Sequence, residues 1–264
     1  FIVKQKNKPY YNYEPIGSLE SLSRVVGIDS DMLNSNVDDI GSKYRIAGRI
    51  QKPDGSVRVV YDASGILKEI HEKIKSRIFQ KVIYPRYLQG AIKDKLHPRD
   101  YIQDAAFHKG SSLIINEDVK QFFPSIKDTE VLKMWKRLFH FPSDVAECLT
   151  KFVTHQGVVP QGAKCSSYIA NLIFWDEEYK LYESMQAKGI QYSRFIDDIS
   201  LSTNRKLTKK NISECISEIY AMFYRKGVTP KRCKHSIKSS GQPMRVHGLN
   251  VNSKLSPTIN KRKR

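Results

Sequence analysis

Apolar residues recur along much of the chain at spacings of three and four, the pattern of an amphipathic helix. From Leu67 to Val82 this spacing predicts a helix that ends before Pro85. The same pattern predicts further helices over residues 129–139, 143–155, 169–189 and 208–227. Thr208 is a suitable N-cap for the last of these, and Gly189 is a suitable residue after the end of the third.

Short apolar runs bounded by turn residues predict strands between these helices. A hairpin is expected from Tyr44 to Tyr61 around the turn Pro53-Asp54-Gly55, and a short strand over Leu113–Val119 arrives at an acidic residue. Two final strands are expected near Ser236 and over 246–251. The order of strands and helices indicates an α+β domain with helices on one face of an antiparallel sheet.

The segment 192–202 sets the acidic pair Asp197-Asp198 between two short apolar runs, as a β-hairpin does when it presents acids at its turn. The dipeptide alone indicates little, because Asp38-Asp39 has the same two residues. That second pair lies in a polar stretch, 35–41, which predicts a loop. The apolar runs on both sides of Asp197-Asp198 therefore carry the prediction.

Length and charge narrow the class of protein. At 264 residues and 40% hydrophobic content, the chain can bury one large core or two modest lobes. Lys and Arg number 45 against 27 acidic residues, which gives a net charge of +18. This excess is typical of a nucleic-acid-binding protein. The alternative is a basic surface that only maintains solubility.

The cysteines indicate neither a zinc site nor a disulfide framework. They are widely spaced: Cys148, Cys165, Cys215 and Cys233. Reduced thiols favour the cytoplasm. No apolar run approaches the roughly 20 residues of a membrane helix, and no signal peptide is visible, so no membrane partner is expected. Because the chain begins at Phe1 rather than Met, we expect further residues before it.

Three carboxylates from distant parts of the chain are expected to converge. Asp118 ends an apolar strand, and Asp197 and Asp198 occupy a hairpin turn. Such a cluster needs cations, and two Mg²⁺ ions held by carboxylates and substrate phosphates serve phosphoryl transfer. The alternative is that each acid is a solvated turn residue.

These residues belong to motifs that resemble those of reverse transcriptases, in the same order along the chain. The motifs are 118–126, Pro160-Gln161-Gly162 and 195–198, and the resemblance spans roughly 45–252. The intact Phe-Phe-Pro-Ser-Ile run at 122–126 is most similar to bacterial retron-type enzymes. Two further retron elements carry substitutions: 104–108 has Asp for Asn in Asn-Ala-x-x-His, and 246–248 has His for Thr in Val-Thr-Gly.

The resemblance implies the right-hand fold of reverse transcriptases, with fingers and a palm whose antiparallel sheet is backed by helices. It assigns an N-terminal extension to 1–43, fingers to 44–112, and the palm, with part of the fingers interleaved, to 113–252. Residues 253–264 would begin a thumb or a linker, so the thumb is expected to be largely absent from this chain.

The resemblance also implies the catalytic centre. Asp118, Asp197 and Asp198 are expected to be catalytic and to bind two Mg²⁺ ions, with Mn²⁺ as an alternative. The backbone carbonyl of Val119 would assist in metal binding. The box Phe-Ile-Asp-Asp at 195–198 replaces the usual Tyr-Ala-Asp-Asp and leaves these metal ligands unchanged.

Further residues are expected to contact the nucleotide. Phe123 would exclude a 2′-hydroxyl, Gln161 would lie in the loop against the incoming nucleotide and template, and Lys52 and Arg58 would hold the triphosphate. The alternatives are a core phenylalanine, a plain turn and a solvated basic hairpin. Lys231 is the expected aid to pyrophosphate departure, although the alignment does not distinguish it from the neighbouring Arg232 and Lys234.

His108 is assigned to organisation of the RNA template, with a hydrogen-bonded structural histidine as the alternative. The implied function is RNA-directed DNA synthesis from deoxynucleoside triphosphates, copying a structured noncoding RNA that serves as template and primer. The DNA product and an effector protein in antiphage defence are the further expected partners. The alternatives are another bacterial reverse transcriptase, defence-associated or group II intron-like, and a weakly active RNA-binding scaffold.

Overall fold

The computed structural model describes residues 7–52, 55–94, 96–253 and 256–257. The helices are α1 (Leu19–Val26), α2 (Ser30–Gly41), α3 (Gly65–Arg77), α4 (Tyr101–Phe107), α5 (Phe122–Ser125), α6 (Asp128–Arg137), α7 (Ser143–Val153), α8 (Ser166–Leu172), α9 (Glu178–Ala187) and α10 (Lys209–Arg225). The strands are β1 (Tyr10–Tyr11), β2 (Tyr44–Gln51), β3 (Val57–Ala63), β4 (Val82–Ile83), β5 (Leu88–Gln89), β6 (Leu113–Asp118), β7 (Gln191–Phe195), β8 (Asp198–Thr203), β9 (Ser236–Ser239), β10 (Arg245–Val246), β11 (Leu249–Asn250) and β12 (Ser256–Pro257).

Some predicted features lie outside the described residues. They are Pro53 and Asp54 of the first hairpin turn, the first six residues of the predicted N-terminal extension, and most of the predicted start of a thumb. In the part of the chain that is described, no helix is long and apolar enough to cross a membrane.

The described chain divides into two compact units. The first unit consists of Asn7 and Lys8, 84–120, and the described residues from 176 onward; the second consists of 9–83 and 121–175. Large side chains with almost no exposure fill the core of the second unit, among them Phe79, Trp135, Phe139 and Phe152. The second unit also contains the predicted hairpin, formed by β2 and β3.

A five-stranded sheet organises the first unit, in the order β5-β7-β8-β6-β9. All neighbours are antiparallel except β5, which runs parallel to β7. Side chains alternate between the two faces. Glu117 of β6 and Arg194 of β7 reach α10 and α9 on one face. Ile114 on the other face joins a small core with Ala105 of α4 and Val246 of β10.

Two predicted helices are shorter than the apolar spacing indicated. The helix from Leu67 ends at Arg77, because Ile78 turns away with φ −118° and ψ −67°. Val82 then lies in β4, paired with Tyr11. The predicted long helix over 169–189 is divided into α8 and α9. In both places buried apolar residues continue through the break, so helical spacing does not mark where the helix ends.

The prediction of a loop at Asp38-Asp39 was wrong, since both residues lie in α2. Asp29 caps this helix, and Leu33 and Ile40 are buried in it, whereas Met32 is exposed. Ion pairs hold the two acids on its exposed side: Asp38 contacts Lys151 at 2.6 Å, and Asp39 contacts Lys43 at 2.9 Å. A polar helix supported by such contacts resembles a loop in sequence.

Candidate active site

Two of the predicted catalytic acids lie side by side in the central sheet. Asp118 ends β6 and Asp198 begins β8, and the strand register places their Cα atoms opposite each other. Phe195 pairs with Asp198 across the β7–β8 hairpin, which leaves Ile196 and Asp197 as a two-residue loop. The predicted hairpin with acids at its turn is therefore present in the structure.

The buried side chain of Arg194 hydrogen-bonds to the hairpin loop. Ile196 has φ +58°, a left-handed conformation that is costly for a β-branched residue. Nη1 of Arg194 donates to the Ile196 carbonyl at 2.8 Å. The guanidinium also donates to both carboxylate oxygens of Glu178 in α9, at 2.6 and 2.7 Å. Sequence analysis missed this pair, although an arginine inside an apolar strand was a visible signal.

The ionised form of Asp198 is disfavoured at this site. Burial raises the pKa of Asp198 to about 7, and the neighbouring charges of Asp197 and Asp118 add to this effect. A carboxyl group that resists ionisation for these reasons is a good ligand for a cation, which removes the repulsion. The donor set therefore fits a divalent ion. Within the described residues, no three His, Cys, Asp or Glu side chains are already arranged as a complete metal site.

Among the described lysines, Lys234 contacts one of these acids, whereas Lys231 was the predicted aid to pyrophosphate departure. The ammonium group of Lys234 contacts the Asp118 carboxylate. Burial opposes the charged form of Lys234, but this contact and the charges of Asp198 and Asp197 raise its pKa. Lys231 instead donates its backbone N–H to the Asp118 carbonyl at 2.7 Å.

A second buried acid holds the segment that carries Lys234. Glu117 precedes Asp118 on β6 and points to the opposite face. Its carboxylate contacts Nδ1 of His235 at 2.5 Å and accepts from Tyr220 of α10 at 3.0 Å. These contacts fix the turn beside Asp118. The N–H of Lys120 also donates to the carbonyl of residue 229 at 2.8 Å, which fixes the backbone around the predicted ligand Val119.

His108 is a buried residue of the first unit, with no exposed surface. Its ring nitrogens lie 2.8 Å from the hydroxyls of Ser202 and Ser193 on the sheet. Burial lowers the pKa of His108 to about 4, so the ring is neutral at physiological pH. This arrangement is that of a hydrogen-bonded structural histidine. If His108 helps to organise the RNA template, it would do so indirectly, through the sheet residues that it contacts.

Four of the predicted nucleotide contacts lie in the second unit: Lys52, Arg58, Phe123 and Gln161. The carbonyl of Gln161 accepts from the N–H of Tyr61 at 2.7 Å, which ties the 160–162 loop to β3, the strand that carries Arg58. Phe123 in α5 is half-buried rather than a core residue. Lys52 follows β2 and is half-buried. That these side chains meet the aspartates at one substrate remains a prediction.

A cavity opens beside the paired acids in the first unit. Its lining is polar: Asn116, Glu117, Asp118, Asp198, Ser200, Lys234, Arg245 and His247, with Ile199 as an apolar member. Lys234, Arg245 and His247 add cationic or imidazole groups to this lining. Such a mixture suits a ligand that carries both phosphates and metal ions.

The family model described as "Reverse transcriptase (RNA-dependent DNA polymerase)" matches residues 50–251, most of the chain. The chain belongs to the reverse transcriptase family. Sequence comparison also confirms the resemblance to retron-type members. The retron Se72 reverse transcriptase of Salmonella heidelberg is 36% identical over 252 residues, covering 96% of this chain and 63% of that protein. The retron Ec48 reverse transcriptase of Escherichia coli is 31% identical over 93% of this chain and 62% of that protein.

Among solved structures, a telomerase from Candida tropicalis, in complex with a fragment of telomeric RNA, has a TM-score of 0.53 and 10% identity. The structural match covers 87% of this chain and 49% of the telomerase chain. This similarity confirms the predicted fold class, an α+β arrangement of the reverse transcriptase right-hand type. The chain spans somewhat less than two thirds of the length of both retron relatives.

Proposed function

We propose that the protein is an RNA-directed DNA polymerase that extends a primer with deoxynucleoside triphosphates. The observation that carries this proposal is the pairing of Asp118 with Asp198 at the turn that also bears Asp197, in a chain matched by the reverse transcriptase family model. The net charge of +18 supports binding of the primer and template backbones. We propose that residues 44–112 form the fingers and that 113–252 form the palm, with part of the fingers interleaved.

In this proposal Asp118, Asp197 and Asp198 hold two divalent ions, with the Val119 carbonyl as a further ligand. Bound Mg²⁺ or Mn²⁺ would supply activation of the primer 3′-oxygen and neutralise charge on the leaving pyrophosphate. Lys234 is the cation best placed beside these acids, and it replaces Lys231 as our candidate for protonating or holding the pyrophosphate.

The second unit supplies the nucleotide contacts in this proposal. Lys52 and Arg58 hold the triphosphate, and Gln161 lies against the incoming nucleotide and template. Phe123 sits beneath the sugar and rejects a 2′-hydroxyl. The hydrogen bond between the Gln161 carbonyl and the strand that carries Arg58 supports a shared task for the loop and the hairpin. An Arg58→Ala variant should weaken apparent nucleotide affinity, and unchanged affinity would remove this role.

We further propose that the template is a structured noncoding RNA that also supplies the primer, as the similarity to two retron reverse transcriptases suggests. The first nucleotide would be joined to a 2′-hydroxyl of that RNA, and the DNA product would stay with it. An effector protein and a role in antiphage defence complete the proposal. The four free cysteines support a reducing cytoplasm.

The test uses the full-length protein purified with its bound RNA, supplied with Mg²⁺ and deoxynucleotides. DNA synthesis is expected from the wild type and should be absent from the Asp197→Ala, Asp198→Ala double variant. The matched control is the Asp38→Ala, Asp39→Ala double variant, because that acidic pair lies on the exposed side of α2. It should retain synthesis.

Sequencing the bound RNA separates the alternatives. A single short structured species supports the retron type, whereas a large ribozyme would indicate an intron-encoded enzyme. No DNA from the wild type, with RNA still bound, would favour a scaffold without synthesis. A product that survives loss of Asp197 and Asp198 would refute the polymerase assignment.

A further inference from the structure

The two residues that depart from the retron elements contact each other. Asp104 replaces Asn in the first element and His247 replaces Thr in the second, and 143 positions separate them in the chain. In the structure, Nε2 of His247 lies 2.5 Å from Oδ2 of Asp104. Two unrelated substitutions would not be expected to fall on bonded partners, so the contact suggests that one residue compensates for the other.

The contact is buried, which makes it costly to disrupt. The Asp104 side chain is 1% exposed and that of His247 is 12% exposed. Among the described residues, no donor reaches the other carboxylate oxygen of Asp104, Oδ1. A buried carboxylate needs a charged or hydrogen-bonding partner. His247 is the side chain that supplies this hydrogen bond in the described structure.

His247 also contacts the hairpin that carries the acidic pair. Its ring centroid lies 4.6 Å from that of Phe195, the residue immediately before the Ile196-Asp197 loop. Its Nδ1 lies 3.8 Å from Oδ2 of Asp198. The backbone of Gly90 packs against the same Phe195 ring, since a Cβ atom at that position would lie 2.8 Å from it. The hairpin aromatic is therefore fixed partly by His247.

The backbone of His247 is itself held in an unfavourable conformation. Its φ of +50° lies in the left-handed region, which few residues other than glycine adopt without cost. A short β-branched threonine at this position could not reach both α4 and the hairpin. The imidazole spans the distance because its two nitrogens point in different directions.

We propose that His247, held in place by Asp104, is a positioning residue that fixes Phe195 and the Asp197-Asp198 turn. In this chain Asp104 and His247 act as a matched pair that replaces the Asn and Thr of related enzymes. The proposal rests on the proposed function, because its main effect is on DNA synthesis. It adds a link from α4 through His247 to the catalytic turn.

The test compares His247→Thr, Asp104→Asn and the double variant in the full-length protein with its bound RNA. His247→Thr leaves the Asp104 carboxylate buried without its donor, so kcat should fall by about 10-fold or more and the Mg²⁺ concentration for half-maximal activity should rise. The KM for deoxynucleotides should change little. Asp104→Asn alone should be milder, since an imidazole N–H can donate to an amide oxygen.

The decisive result is recovery in the double variant. Asp104→Asn removes the orphaned charge, so the double variant should exceed His247→Thr in kcat by about 5-fold or more. Gln103→Ala is the control, because Gln103 is an exposed neighbour on α4. If the fold-losses in kcat of the two single variants simply multiply in the double variant, the matched pair is overturned. A normal kcat and Mg²⁺ requirement in folded His247→Thr protein would overturn the positioning role.

A second measurement, made without metal or substrate, keeps the two proposals separate. The unfolding midpoints of the wild type, the two single variants and the double variant give a double-mutant cycle for the Asp104–His247 contact. Coupling in this cycle with no DNA synthesis by the wild type would show that the proposed function fails while the contact stands. Synthesis without any coupling would show the reverse.

Discussion

The buried ion pair of Arg194 and Glu178, beside the catalytic turn, allows a quantitative prediction. Arg194 is fully buried and Glu178 is almost so, with side-chain exposures of 0% and 2%. Replacing Glu178 by Ala removes the acceptor of two Arg194 hydrogen bonds and one from Tyr192 at 2.7 Å. The guanidinium cannot lose its charge. Removal of one partner from such a pair costs about 3–5 kcal/mol of unfolding free energy.

Denaturant unfolding, followed by circular dichroism, measures this loss as a lower transition midpoint with an unchanged slope. The matched control is Glu177→Ala, one residue earlier. Its partner Arg225 is 57% exposed, and a surface pair of this kind contributes at most about 1 kcal/mol. Equal shifts for the two variants would contradict the role assigned to the buried pair.

A double replacement separates stability from activity. Glu178→Leu with Arg194→Met substitutes apolar side chains for both charges, and such exchanges are often neutral or stabilising. Unfolding free energy should then largely recover. DNA synthesis should fall below that of the wild type by about 10-fold or more, because Arg194→Met removes the donor to the Ile196 carbonyl at the turn. Full recovery of both properties would refute the claim that Arg194 holds the catalytic turn.

Three further predictions concern other parts of the chain. Burial lowers the pKa of His108 from 6.5 to about 4, so the unfolding free energy is highest above pH 6.5 and falls by roughly 3 kcal/mol as the pH is lowered toward 4. His108→Gln should remove this fall, which unfolding experiments at several pH values would measure. Gly162→Ala should destabilise the protein by about 1–3 kcal/mol, because φ is +102° and a Cβ would lie 2.4 Å from Val60, whereas Gly48→Ala has open space and should cost nothing. Phe123→Val should raise incorporation of ribonucleotides relative to deoxynucleotides in the synthesis assay, and unchanged sugar selectivity would contradict its proposed place beneath the sugar.

The local pattern of the sequence was sufficient for much of the candidate site. Alternation of apolar residues fixes which side chains of a strand share a face, and a two-residue turn brings the ends of a hairpin together. These rules predicted the hairpin at Asp197-Asp198 and the strand that ends at Asp118, and both are present in the structure. The motif order and net charge pointed to the family that the comparison confirms.

Helix limits were less predictable, because apolar spacing reports burial and not backbone conformation. Ile78 is buried in the turn that follows α3, so the pattern continues past the end of the helix. Asp38-Asp39 gave the opposite error. A helix that buries few residues, kinks at Asn36 and places its acids beside lysines has a weak apolar pattern.

The sequence by itself determined the β2–β3 hairpin, the strand that ends at Asp118, the acidic turn and the family of this protein, because each depends on the order of nearby residues. Only the tertiary structure decided which polar groups meet: Arg194 with Glu178, Lys234 with Asp118, and Asp104 with His247. The partners in the last two pairs are more than 100 residues apart in the chain. A buried charge pairs with the side chain that tertiary packing places beside it, and the spacing of nearby residues in the sequence does not predict a partner so far along the chain.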